Sequence, residues 1–194
     1  MLMKKVFIVH GYNASPSDHW FPWLKQQIES LGHQCDILHL ADSAHPQYDA
    51  WKHNLVQQIQ PINDDVIIIA HSLGCISSLG FLSEALHGRK HFALFLIAGF
   101  KQRLPVFPEL NLFIDQAHID DAHLRLSISH RILFFSNNDP FVPAPFSIQL
   151  ARLLNAQMIE VKDAGHFMAS DGFSEFPQLW EKLTVLLKPE LESA

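Results

Sequence analysis

Cysteine occurs only twice in the 194 residues, at Cys35 and Cys75, and neither belongs to a CxxC or Cys/His spacing pattern. A disulfide framework and a cysteine-based zinc site are therefore not expected. Charged residues are also sparse, at 18%, and leave a formal net charge of -6. That balance gives no electrostatic footprint for nucleic acid or for an anionic membrane. No apolar run approaches the roughly 20 residues needed to cross a bilayer. The opening MLMKKVFIVHG has two lysines and an apolar stretch, but the stretch stops at His10-Gly11, too short for a signal peptide, and no small-residue cleavage site follows. A cytoplasmic location is expected. Histidine alone is abundant, with 13 copies. They are scattered and form no HExxH pair, so no metal is expected and most are read as surface residues.

Hydrophobic residues reach 48%, enough for one compact domain over residues 1–194. Short β-branched and aromatic runs alternate with segments of helical period, the pattern of βα units on a parallel sheet. Strands are expected at 5–9, 35–40, 66–70, 92–98, 132–136 and 158–161. Helices are expected at 18–31, with Asp18 as N-cap and Gly32 as terminator, and at 46–59, 73–86, 146–154 and 176–187. The uninterrupted apolar run Val66 to Ala70 reads as a central strand covered on both faces. Between Gly99 and Ser129 the pattern loosens, and one or two short helices are expected. The fold class is thus α/β, a three-layer α/β/α sandwich.

The sharpest local signal is Ala70-His71-Ser72-Leu73-Gly74, directly after that central strand and directly before a helix. A nucleophilic serine must be lifted from the sheet on a tight strand-to-helix turn, with small neighbours two residues to either side. Ala70 stands where the usual G-x-S-x-G has its first glycine. A serine N-cap on an ordinary helix would look similar; the position after the most apolar strand favours chemistry. His10-Gly11-Tyr12-Asn13 ends the first strand. In a sheet of order 2-1-3-4-5-6 the first and third strands are neighbours, so these residues face Ser72. Gly11 is expected to let the backbone turn so that the Tyr12 amide, with that of Leu73, forms an oxyanion hole. His10 is read as structural. The loop after the last strand carries Gly165-His166, a candidate base, and the loop before it carries Asp139-Pro140, a candidate acid. Asp163 competes as the acid but lies only three residues from His166. The chain order Ser, Asp, His fits an α/β-hydrolase arrangement.

These motifs, with Asp18-His19-Trp20, Trp23 and a late Gly172-Phe173…Phe176-Pro177, resemble the small serine hydrolases of the retinoblastoma-binding protein nine and YdeN type. The resemblance covers nearly the whole chain. It implies a six-stranded, nearly lidless α/β-hydrolase fold and a Ser72-Asp139-His166 triad needing no cofactor. The expected activity is hydrolysis of a small ester, thioester or amide through an acyl-enzyme on Ser72. Leu104, Phe107, Phe113 and Phe141 are expected to form a shallow apolar substrate wall. The rival reading is a non-catalytic protein-binding module that keeps the fold. The retinoblastoma-type LxCxE motif is not reproduced, because Leu73-Gly74-Cys75-Ile76-Ser77 lacks the glutamate.

Overall fold

A computed structural model describes residues 3–60, 62–63, 65–86 and 88–188, and the domain expected over 1–194 lies outside the described residues elsewhere. Six strands, β1 (Lys5–Val9), β2 (Gln34–Ile37), β3 (Val66–His71), β4 (His91–Ile97), β5 (Ile128–Phe135) and β6 (Gln157–Glu160), form one sheet. Its order is β2-β1-β3-β4-β5-β6, and every neighbouring pair runs parallel. Parallel neighbours require crossovers. These carry the helices α1 (Phe21–Ser30), α2 (Tyr48–Gln58), α3 (Leu73–Ala85), α4 (Asn111–Gln116), α5 (Asp121–Ser127) and α6 (Ala144–Leu154), with α7 (Pro177–Leu187) last.

Strand alternation splits the core into two layers. Val6 and Ile8, Ile67 and Ile69, and Ala93, Phe95 and Ile97 point to the face covered by α1 and α7, where they meet Trp20, Phe21, Leu24, Ile28, Leu179 and Leu183. Phe7 and Val9, Ile68 and Ala70, and Leu94 and Leu96 point the other way, onto α2, α3 and α6. With both faces covered, the central strands need no polar side, which is why β3 reads as continuous apolar sequence. α3 is buried at every residue from Leu73 to Ser83.

The expected boundaries shift for local reasons. α1 starts at Phe21, with Trp20 as N-cap and Pro22 in its first turn. Asp18 instead turns its carboxylate back to accept the Ser15 N–H at 2.7 Å. β2 stops at Ile37, yet Leu38 and Leu40 are buried in the core beyond it, so apolar character outlasts the ladder. β5 begins four residues early, because Ile128 and His130 already pair with His91 and Ala93 of β4. The loose segment forms a 3-10 turn (Pro108–Leu110), α4 and α5. None of the described helices is long and apolar enough to cross a membrane.

Most of the described histidines reach the surface, as expected, but His10, His33, His71, His91 and His166 are buried. Each of these imidazoles except His166 bonds to the backbone, and His33 bridges two backbone groups. His33 accepts the Lys4 N–H through Nδ1 and donates through Nε2 to the Leu187 carbonyl, tying the end of α7 to the start of β1. His91 donates through Nε2 to the Ala93 carbonyl at 2.8 Å. Burial lowers the His91 pKa to about 4, against the smaller opposing effect of that bond.

A neutral His91 makes stability pH-dependent. The unfolded imidazole takes up a proton near pH 6.5 and the folded one only near pH 4, so its contribution is complete above pH 6.5 and is lost as pH falls toward 4. His91→Gln keeps a donor for the Ala93 carbonyl and does not titrate. The variant should lose about 2 kcal/mol less stability than the parent between pH 7 and pH 5, measured by urea unfolding at the two pH values.

Candidate active site

Ser72 sits at the junction of β3 and α3 with φ 54° and ψ -123°, a left-handed backbone that costs a non-glycine residue of order 1–3 kcal/mol. The junction is held against that strain. The Ser72 amide donates to the Ile97 carbonyl of β4 at 2.9 Å, and the Cys75 amide returns to the Ser72 carbonyl at 2.9 Å. The neighbouring glycines are dictated by close approach. A Cβ on Gly74 would lie 2.4 Å from the His10 carbonyl oxygen, and one on Gly11 would lie 2.9 Å from Ser72 Cβ. Gly11 is therefore needed for contact with the elbow rather than for a special turn angle. Cys75 is packed beneath, its thiol donating to the Ala70 carbonyl at 3.2 Å, and burial pushes its pKa up.

Ser72, His166 and Asp139 come together from three strand ends. His166 Nε2 is 2.9 Å from Ser72 Oγ, and His166 Nδ1 is 2.8 Å from Asp139 Oδ2. The His166 and Asp139 side chains are 7% and 2% exposed, so water cannot compete for their contact. The other Asp139 oxygen accepts the Phe141 and Val142 amides at 2.8 and 2.9 Å, which fixes the carboxylate in the turn after β5. Asp163 stays apart: it is exposed, and its Oδ1 meets Asn137 Nδ2 at 3.4 Å.

The loops carrying Asp139 and His166 are joined by contacts that motif reasoning missed. Ser136, Asn137 and Asn138 present side-chain oxygens to three successive amides of the other loop, those of Ala164, Asp163 and Gly165, at 3.0, 2.8 and 2.8 Å. Asp171 closes the far side, one carboxylate oxygen accepting the His166 and Met168 amides at 2.9 and 3.0 Å. Gly165 has φ +54°, and a Cβ there would lie 2.5 Å from the Asp171 carboxyl carbon. Such side-chain-to-backbone contacts were invisible in the sequence, because the two loops are separated by about two dozen residues and only the fold aligns them.

The amide of Leu73 stands at the first position of α3, where no intrahelical acceptor exists. Tyr12 lies in the turn after β1, whose next amide, that of Asn13, is bound to the Ser43 carbonyl at 2.7 Å. Leu73 follows Ser72 directly, and Tyr12 lines the same cavity as Ser72. A cavity of about 190 Å³ opens over Ser72 and His166. Leu104, Phe107 and Phe141 line it, and Phe100 and Leu110 extend the apolar wall. Phe113 does not belong there. It points from α4 into the core, edge-on to Tyr48 and Trp51 at 5.4 and 5.2 Å. The six-residue helix turns that ring inward and leaves Leu112 exposed.

Three more histidines surround the site. His71, the residue before Ser72, donates through Nε2 to the His166 carbonyl at 2.8 Å, and burial holds its pKa well below the ordinary imidazole value. His10 donates through Nδ1 to the Gly11 carbonyl at 3.0 Å and is lowered by burial as well. His19 lines the cavity. Among the described residues no group of three or more His, Cys, Asp or Glu side chains could hold a metal ion.

Known proteins share this architecture. Residues 6–185 match the family model described as "Serine hydrolase". The chain is 36% identical to the YdeN protein of Bacillus subtilis over 190 residues, covering 97% of this chain and 99% of that one. The crystal structure of the B. subtilis ydeN product superposes with a TM-score of 0.90 at 34% identity, over 94% of this chain and 98% of its own. Rat serine hydrolase RBBP9 is 24% identical over 97% of both chains. At 14% identity, a 2-hydroxy-6-oxo-6-phenylhexa-2,4-dienoate hydrolase from Rhodococcus sp. strain RHA1 shares the fold, with a TM-score of 0.68 over 94% of this chain and 90% of its own. With an α/β-hydrolase sheet, a strained serine at its elbow and a family match spanning nearly its full length, this chain belongs to the serine hydrolase family.

Proposed function

We propose that the protein hydrolyses small carboxylic esters, with thioesters or amides of similar size as the neighbouring chemistry, through an acyl-enzyme on Ser72. The observation that carries this reading is the unbroken line from Ser72 Oγ to His166 Nε2 and from His166 Nδ1 to Asp139 Oδ2. Ser72 Oγ bonds to the acyl carbon as its proton passes to His166 Nε2. The C–O bond to the leaving group then breaks as His166 returns that proton to the departing oxygen. Water enters, gives a proton to His166 and releases the acid, and Ser72 regains its hydrogen. Asp139 holds the imidazole in the tautomer with hydrogen on Nδ1. The Leu73 and Tyr12 amides receive the negative oxygen of each tetrahedral intermediate. None of these steps calls for a metal or organic cofactor, and a cytoplasmic setting suits a thiol-bearing protein with no disulfide.

The acid assignment is tested by two substitutions assayed on p-nitrophenyl butyrate. Asp139→Asn should lower kcat by about 10³- to 10⁴-fold, whereas Asp163→Asn should stay within about twofold of the parent. The reverse order would move the acid to Asp163.

The cavity bounds the acyl group. At about 190 Å³ it is smaller than the roughly 300 Å³ at which drug-sized pockets begin. Each methylene buried against Leu104, Phe107 and Phe141 is worth about 0.8 kcal/mol, or about 4-fold in kcat/KM. Across p-nitrophenyl esters, kcat/KM should rise from acetyl to butyryl and stop rising by octanoyl. A flat profile, or one still climbing at dodecanoyl, would contradict an apolar wall of this depth.

A further inference from the structure

The cavity is lined by a row of rings that changes character at His166. On one side Phe141, Phe107 and Tyr12 follow at successive centroid distances of 5.2, 5.3 and 5.5 Å. On the other side come His71 at 4.9 Å from His166 and then His19 at 5.7 Å from His71. The first arm is apolar. The second is made of imidazoles, of which His71 is committed to the His166 carbonyl through Nε2. His19 is differently bound. The Ala169 amide donates to His19 Nδ1 at 3.1 Å, so Nδ1 must be unprotonated and the neutral ring carries its hydrogen on Nε2. Partial burial lowers its pKa, in keeping with that neutral form. No described residue accepts from Nε2, and the ring lines the cavity. The His19 backbone is held at φ 53°, a left-handed conformation in which histidine, like asparagine and aspartate, is enriched among non-glycine residues. His19 thus presents to the cavity a donor nitrogen that no described residue accepts.

Resting on the hydrolase reading above, we infer that His19 Nε2–H binds an oxygen acceptor in the leaving group, so that the substrates are esters whose alcohol portion carries an ether, hydroxyl or carbonyl oxygen. The side follows from the chemistry. His166 Nε2 must reach the departing oxygen, and His19 follows His166 through His71 at ring distances of 4.9 and 5.7 Å, in the arm that does not contain the apolar rings assigned to the acyl chain. His19 is a specificity-determining residue in this scheme and takes no part in proton transfer.

The test compares two butyrate esters with the same number of heavy atoms, n-butyl butyrate and 2-methoxyethyl butyrate, which differ by one methylene replaced by oxygen. Their kcat/KM ratio, divided by the ratio of their hydroxide-catalysed rates, reads the contribution of that oxygen alone. The parent protein should favour the methoxyethyl ester by about 3- to 10-fold, the size of one neutral hydrogen bond. His19→Asn tolerates the left-handed backbone and offers an amide oxygen to the Ala169 N–H, yet places no donor where Nε2 stands. Its normalised ratio should fall to about one. His19→Gln, which carries an amide N–H to the Nε2 position, should restore part of the preference. A parent ratio of one, or a preference unchanged in His19→Asn, overturns the inference. If a fluorophosphonate labels Ser72 but neither ester is turned over, the substrate class is wrong while the nucleophile stands. If Ser72 is not labelled, the underlying hydrolase reading fails and this inference falls with it.

Discussion

The arrangement of the molecule depends on the left-handed backbone of Ser72. A serine at φ 54° is held only where its surroundings leave no relaxed alternative. Those surroundings come from the sheet order. β1 and β4 flank β3, so the turn after β1 presses on the elbow from one side through Gly11, and the Ile97 carbonyl at the end of β4 takes the Ser72 amide on the other. α3 leaves the elbow so close to His10 that only a glycine fits at position 74. Burial of both sheet faces supplies the free energy, and the elbow is where part of it is stored as strain.

The second theme is imidazole held neutral. Burial lowers the pKa of His10, His19, His71 and His91, and each has at least one ring nitrogen matched to a backbone group. A neutral histidine can accept an amide with one nitrogen and donate to a carbonyl with the other. That lets it bridge elements that side chains of fixed polarity could not. His71 shows the consequence for the site: it holds the main chain of the proposed base, while Asp171 and the Ser136-Asn137-Asn138 side chains hold the amides around it. The position of His166 is thus set from its backbone as well as through Asp139.

Much of this was legible in the sequence. The parallel βα architecture followed from the alternation of apolar runs with helical segments, the strand order came with the hydrolase-type fold, and Ser72, Asp139 and His166 stood out because each lies just beyond a strand. What was not legible depends on tertiary placement. Phe113 and Phe107 look equivalent as aromatic residues in one loose segment, yet a six-residue helix turns the first into the core and leaves the second over the cavity. Asp18 looked like a helix cap because it precedes an amphipathic run, but Pro22 starts that helix later and frees Asp18 for the Ser15 amide. His19 gave no signal beyond its place in a family motif. Its tautomer is set by Ala169, 150 residues away. His33, His71 and His91 escaped notice because composition counts polar residues without knowing which carbonyls they will meet.

The central claim, that Ser72 is a nucleophile activated by His166, is tested most directly by a fluorophosphonate probe followed by peptide mass mapping. The account predicts a single adduct, on the peptide containing Ser72, absent in Ser72→Ala and formed at least about a hundredfold more slowly in His166→Ala. An adduct on another residue, or labelling of Ser72→Ala at the rate of the parent, would contradict it.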